Sequence, residues 1–165
     1  MTAGPARVGA AAYGGAMGDF DFYVGTWDIA NRRRVDYLDE ASPWEEFPAV
    51  SVAARHFDGA ANIDEITFPT KGWAGLTVRL YDPATSLWSL YWISRSAPVI
   101  TTPVTGRFVN GRGEFVNDEA WDGVPVRVRF LWTDISDTTA RWEQAFSRDG
   151  GSTWLPNWVM DSTRR

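Results

Sequence analysis

His56 is the only histidine in the chain, and there is no cysteine. Any imidazole-based proton transfer therefore rests on one side chain, the type whose ordinary titration range spans neutrality. A zinc site normally draws on several Cys or His ligands, so no metal is expected. Thiolate chemistry and disulfides are excluded outright. Carboxylates occur in two short runs, Glu45-Glu46 and Asn62-Ile63-Asp64-Glu65. Drawn into an apolar interior, where desolvation raises its pKa, one of them could serve as a general base. Successive residues of a strand face opposite ways, so at most one of Asp64 and Glu65 points inward. The competing reading is a solvated edge, or a salt bridge to a neighbouring-strand arginine such as Arg79. The candidate catalytic set is thus His56, Arg33, Asp64 and Glu46. Lys71, the sole lysine, lies in the turn Pro69-Thr70-Lys71-Gly72, which argues against a Schiff base. No Gly-x-Ser-x-Gly elbow, Walker loop or dinucleotide fingerprint is present, and no cofactor is expected.

The elements that must position these groups are strands. Periodicity of two dominates the chain, and aromatic and β-branched runs are broken at short intervals by Gly, Pro, Asp and Asn. Ten strands are predicted, at roughly 22–34, 45–57, 61–68, 73–82, 86–95, 103–109, 112–119, 124–134, 139–148 and 153–163. Asn110-Gly111 and Asp122-Gly123 are hairpin signals, and Asp82-Pro83-Ala84-Thr85 suits a type I turn. At 165 residues the chain is one domain with room for a real core. Residues 1–18 read as an Ala/Gly-rich leader, either a loose tail or a lid across a barrel mouth, and 19–165 as the folded domain.

Alternation assigns faces. Val126, Val128, Phe130 and Trp132 share one side of their strand, with Arg127 and Arg129 on the other. Trp142, Gln144 and Phe146 form a second set, Trp88, Leu90, Trp92 and Ser94 a third, and Trp154, Trp158 and Met160 a fourth. In phase with Trp27 on the first strand lie Ile29, Asn31 and Arg33. His56 shares a face with Val50, Val52 and Ala54. Closing the sheet into a barrel makes the inner faces one lumen and removes most free edges. Polar groups on those faces must find hydrogen bonds in one another, in water or in a ligand. The expected ligand contacts are Asn31, Arg33, Trp92, Ser94, Phe130, Trp132, Trp142, Gln144 and Trp158. Arg33 would anchor a carboxylate, phenolate or enolate unless it belongs to a network closing one barrel end.

Gly25-Thr26-Trp27 at the start and Trp158-x-Met160-x-Ser162-x-Arg164 at the end resemble the calycin superfamily of lipocalins and fatty-acid-binding proteins. The resemblance implies a single antiparallel up-and-down β-barrel in which a last-strand cation covers the first-strand indole. Trp27 and Arg164 would then be the closure pair. More closely, the chain is similar to a bacterial group of Trp-rich, lipocalin-like proteins. Asp21-Phe22-Tyr23-Val24-Gly25-Thr26-Trp27, Asn62-Ile63-Asp64-Glu65, Leu80-Tyr81-Asp82-Pro83-Ala84-Thr85 and Arg141-Trp142-Glu143-Gln144-Ala145-Phe146-Ser147 carry that likeness. No activity comes with it.

Composition narrows the function classes. A net charge of −5 with no basic stripe argues against nucleic acid. No apolar run approaches the ~20 residues of a spanning helix, so no membrane partner is expected. The absence of cysteine fits a cytoplasmic protein. The leading expectation is binding of a hydrophobic, aromatic or polyketide-like small molecule in a Trp-lined lumen. The rival is a cofactor-independent cyclase, isomerase or lyase acting on such a molecule. A third reading is a subunit whose lumen is only core. Exposed Trp44, Trp73 or Trp121 on an outer face would point to a homodimer.

Overall fold

The computed structural model describes residues 16–165. The chain folds as ten antiparallel strands in a closed up-and-down barrel. They are β1 (Gly25–Arg34), β2 (Trp44–His56), β3 (Ala61–Phe68), β4 (Trp73–Asp82), β5 (Leu87–Ser94), β6 (Val104–Val109), β7 (Arg112–Trp121), β8 (Val124–Thr133), β9 (Thr139–Ser147) and β10 (Leu155–Arg164). Each strand pairs with its sequence neighbour, and β1 pairs with β10 to close the ring. The all-β barrel expected from the sequence is therefore the fold, with strand limits close to those predicted. The turns follow their chemistry: Asn110-Gly111 and Asp122-Gly123 both take left-handed backbone at both positions, as a two-residue I′ hairpin requires. The described part of the leader, from Ala16, sits beside Gly59 at one end, where the Gly18 amide donates to the Gly59 carbonyl. The lid expectation for the leader otherwise falls outside the described residues.

The two ends of the barrel differ. At the end where β1 begins, a 3-10 turn at Asp21–Tyr23 pushes Phe20, Phe22 and Tyr23 into the ring as a plug. The Phe20 ring meets Trp88 and Phe108 edge-on, each at 5.0 Å, and Tyr23 stacks on Trp27 at 5.1 Å. Trp27 is completely buried and its indole N–H donates to the Tyr23 carbonyl at 3.0 Å. Arg164, directly opposite Trp27 in register, lies over the indole at 4.2 Å. Its guanidinium donates to the carbonyls of Phe22, Val24 and Asp137. Gly25 is required here: at φ 121°, a Cβ would stand 2.7 Å from Arg164 Nη1.

The opposite end is only partly covered. The loop after β1 lays Tyr37 across it, held from below by Asn157, whose Nδ2 donates to the Tyr37 carbonyl. Asn157 is inside because of a β-bulge: the β10–β9 register slips between Pro156 and Trp158. That slip corrects one expected face. Trp154 lies outside, under Arg129 at 4.3 Å, and does not share the lumen with Trp158 and Met160. The ladder is weakest between β5 and β6, which share three register pairs, Trp88–Gly106, Ser89–Thr105 and Leu90–Val104. Beyond Leu90, β5 runs on to Ser94 with no β6 partner, since β6 begins at Val104. Among the described residues no helix is long and apolar enough to cross a membrane.

Candidate functional site

Between the plug and the half-covered end the lumen is hollow. A cavity of about 420 Å³ occupies it, within the range of small-molecule sites. Its walls are rich in aromatic rings: Trp92 from β5, Phe130 and Trp132 from β8, Trp142 and Phe146 from β9, and Trp158 from β10. These are inward positions of β5 and of the neighbouring strands β8, β9 and β10, so the rings cluster on the β8–β10 side of the barrel with Trp92 apart from them. Phe130 and Trp142 meet edge-on at 4.9 Å, and Trp142 meets Trp158 at 5.9 Å. Gly75 makes room for Trp92, since a Cβ there would fall 2.2 Å from the indole.

The floor is polar. Asp64 (β3) and Arg79 (β4) both line the cavity and are almost wholly buried, with Oδ1 2.6 Å from Nη1. Ser51 Oγ donates to Asp64 Oδ2 at 2.9 Å, and Arg79 Nη1 donates to Asn62 Oδ1 at 2.8 Å. The Arg79 guanidinium is framed by the rings of Phe20, Tyr23 and Trp132 at 5.1–5.7 Å. Its Nε has no hydrogen-bond partner. Burial, followed by the nearby Asp64 carboxylate, pushes the Tyr23 hydroxyl up to about 12, so it faces the cavity floor as a neutral phenol.

The mouth is marked by lining residues that are also exposed: Thr101, Thr102, Glu119 and Trp121. Tyr37 stacks on Trp121 at 4.9 Å and forms one lip. Burial likewise pushes the Tyr37 hydroxyl up to about 12. On the same face of β7 as Trp121, the Asn117 amide donates to the Thr102 carbonyl at 3.3 Å, leaving its Oδ1 buried without a partner. Glu119, two residues on, is open to solvent as a residue, yet desolvation beside the apolar wall raises its carboxyl above the usual value.

Several expected site residues stand elsewhere. Arg33 does not line the cavity. It forms an ion pair with Glu45 at 2.5 Å, and Lys71 takes the other Glu45 oxygen at 2.5 Å. Lys71 and then Arg33 hold the Glu45 carboxyl below its ordinary range. The Arg33 guanidinium also covers Trp73 at 4.5 Å and Trp158 at 5.3 Å, so it packs against the cavity wall at the mouth end. Asn31 is buried, and its Oδ1 accepts from the Trp158 indole at 3.0 Å. Ser94 pairs with the Ser96 hydroxyl away from the lining. Gln144 lines the cavity and donates to Asn157 Oδ1. Trp44 is half-buried under Arg34, while Trp73 and Trp121 sit at the mouth end.

His56 and Glu46 require a correction. On β2 the buried positions are Phe47, Ala49, Ser51 and Ala53, so Glu46 and His56 point out and are exposed. The face that carries Val50, Val52 and Ala54 is the outer one; Val52 is 55% exposed. Small inward residues are needed there because Trp27 and Asp64 sit directly across the ladder from Ser51 and Ala53. Of the candidate acids and bases, Asp64 alone reaches the lumen. Among the described residues there is no cluster of three or more His, Asp or Glu that could hold a metal ion.

No family profile and no curated protein matches the chain. Among solved structures, an S-type phycobiliprotein lyase from Guillardia theta is similar, with a TM-score of 0.54 and 12% sequence identity. The likeness covers 88% of this chain and 90% of that one. At such identity it establishes the lipocalin-like barrel fold and nothing finer.

Proposed function

We propose that the protein binds a hydrophobic, aromatic or polyketide-like small molecule inside the barrel. The observation that carries this reading is the cavity of about 420 Å³, walled by indole and phenyl rings and floored by a buried ion pair. A barrel of this size can be filled solid by its own side chains; here Trp142 and Trp158 stand against the wall instead. Aromatic walls supply area and shape, while Asp64, Arg79 and Tyr23 fix orientation. The test is native mass spectrometry of the purified protein, followed by tryptophan-fluorescence titration with whatever co-purifies. Thr77→Phe, which fills the lumen from β4, should abolish the quench while leaving the barrel folded. Retention of full affinity by that variant would place the ligand outside the lumen.

A second reading has one observation of its own. Asp64 and Arg79 side by side on a buried floor form the pairing that a cofactor-independent isomerase, cyclase or lyase needs. The carboxylate would take a proton from the ligand, and the guanidinium would steady the oxyanion that forms. The barrel that a phycobiliprotein lyase shares supports this only as an analogy of fold. With the ligand identified, Asp64→Asn should keep binding and lose turnover. If it keeps both, the floor only orients.

A further inference from the structure

We propose that the mouth of the cavity selects a ligand carrying a protonated amine, which Glu119 receives. This rests on the binding reading above and names the charge of what binds.

Among the described residues, three with charged side chains line the cavity: Asp64, Arg79 and Glu119. Asp64 and Arg79 neutralise each other at 2.6 Å on the floor. Glu119 has no cationic partner among the described residues, although its neighbour Asp118 is paired to Arg127 on the outer face. The lumen therefore carries one uncompensated negative charge, at its mouth. A ligand carboxylate would add a second negative charge beside an apolar wall; an ammonium would bring the sum to zero.

The surroundings of Glu119 favour a cation for two further reasons. Trp121, two residues on and therefore on the same face, presents an indole at the lip, stacked on Tyr37. Indole faces attract cations through their quadrupole. Asn117, two residues before, keeps an acceptor to spare, because its Nδ2 is committed to the Thr102 carbonyl and its Oδ1 has no partner. Acceptors and a π face thus meet on one strand. Arg33 and Lys71 share the single carboxylate of Glu45 and so leave one positive charge at this end, but neither lines the cavity that Glu119 borders.

The experiment compares three probes of one shape by calorimetry at mildly alkaline pH: 2-naphthylmethylamine, 2-naphthylmethanol and 2-naphthoate. The expected ranking is amine, then alcohol, then carboxylate. Glu119→Gln should weaken the amine roughly ten-fold or more, the scale of a lost charge-assisted hydrogen bond, and leave the alcohol within about two-fold. Glu119→Lys should invert the ranking. Glu119 is exposed, so neither change should disturb folding, and a matching thermal transition checks this. An amine no tighter than the alcohol, or an amine preference that survives Glu119→Gln, overturns the proposal and leaves lumenal binding standing. Failure of all three probes to bind counts against the cavity as a binding site, and the proposal falls with it.

Discussion

The two ends of the barrel are built from the same kinds of residue and leave them in opposite states. At the plugged end, Arg164 spends its guanidinium on three backbone carbonyls and the Trp27 indole, and Trp27 finds its acceptor in Tyr23. At the other end, among the described residues, Asn117 Oδ1 has no partner and Glu119 lacks a cation, while Trp121 remains 37% exposed. On the β1–β2 side of that same end Arg33 and Lys71 are both held by Glu45. The exposed part of the lining, Thr101, Thr102, Glu119, Ala120 and Trp121, falls on β7 and on the segment between β5 and β6, where the ladder thins to three pairs. Among the described residues, buried polar atoms without partners are spread more widely, to Asn31 on β1, Arg79 on β4 and Trp132 on β8. Polar groups that complete one another hold the fold, and those left over are where a ligand has something to add.

The floor between the two ends is the most sensitive place to strike. Arg79→Met would leave Asp64 buried at 4% side-chain exposure with its charge uncompensated, and should cost about 3–5 kcal/mol in urea denaturation. The double variant Asp64→Asn/Arg79→Met should recover a large part of that loss, since it removes both charges together. Equal losses in the single and double variants would show that Arg79 acts through its packing on Phe20, Tyr23 and Trp132 instead.

Arg164→Ala comes next and tests the plugged end alone. It removes the cover from Trp27 and strands three carbonyls, so a loss of about 2–3 kcal/mol is expected. Affinity for a lumenal ligand should change by less than about two-fold, because the plug separates Arg164 from the cavity. A large affinity loss with little loss of stability would erase the distinction between the ends.

How far this division was legible in the sequence depends on the strand. β1 alternates cleanly, β8 does so as far as Arg129 and β9 as far as Glu143, and carrying that phase along each strand places Trp27, Trp132 and Trp142 inward. β2 does not, because its outer face carries Val50, Val52 and Ala54 while its inner face is Ala49, Ser51 and Ala53. Hydrophobicity there points the wrong way, and it put His56 inside. β10 defeats alternation by its bulge, which hid Asn157 and reversed Trp154. Arg79 lies between Val78 and Leu80, so it reads as an outward charge among apolar neighbours; only its pairing with Asp64 could be named. Glu119 and Asn117 went unnoticed because β7 is polar on both faces, leaving no contrast to read.

A smaller effect reports on both ends at once. Burial raises Tyr23 on the floor and Tyr37 at the mouth to about 12 from the ordinary value of 10.0. The folded state therefore holds these protons more tightly than the unfolded chain does. Their contribution is fully present below pH 10 and is lost as pH rises through 12, amounting to about 1 kcal/mol each near pH 11. Tyrosinate absorbance should show two phenols ionising late. If Tyr37→Phe leaves that late phase unchanged, the lip over the cavity is open to water and not packed as it stands.

The smallest expected effect belongs to Arg33→Met, which keeps length and removes charge on the β1–β2 side of the mouth. Were Arg33 the anchor of an acidic ligand, this change would weaken binding by roughly 1–3 kcal/mol. The geometry gives another outcome. Glu45 keeps Lys71 after the substitution, so no carboxylate is left without a partner. The ion pair that disappears is one-fifth to one-quarter exposed on each side, and such a pair contributes roughly 1 kcal/mol or less. Methionine can still lie along Trp73 and Trp158, replacing much of the contact. A loss of stability within about 1 kcal/mol and ligand affinity within about two-fold are therefore expected, measured on the same preparation by urea denaturation and fluorescence titration. A ten-fold loss of affinity with unchanged stability would move the ligand's polar contact from the β7 side of the mouth to the β1 side.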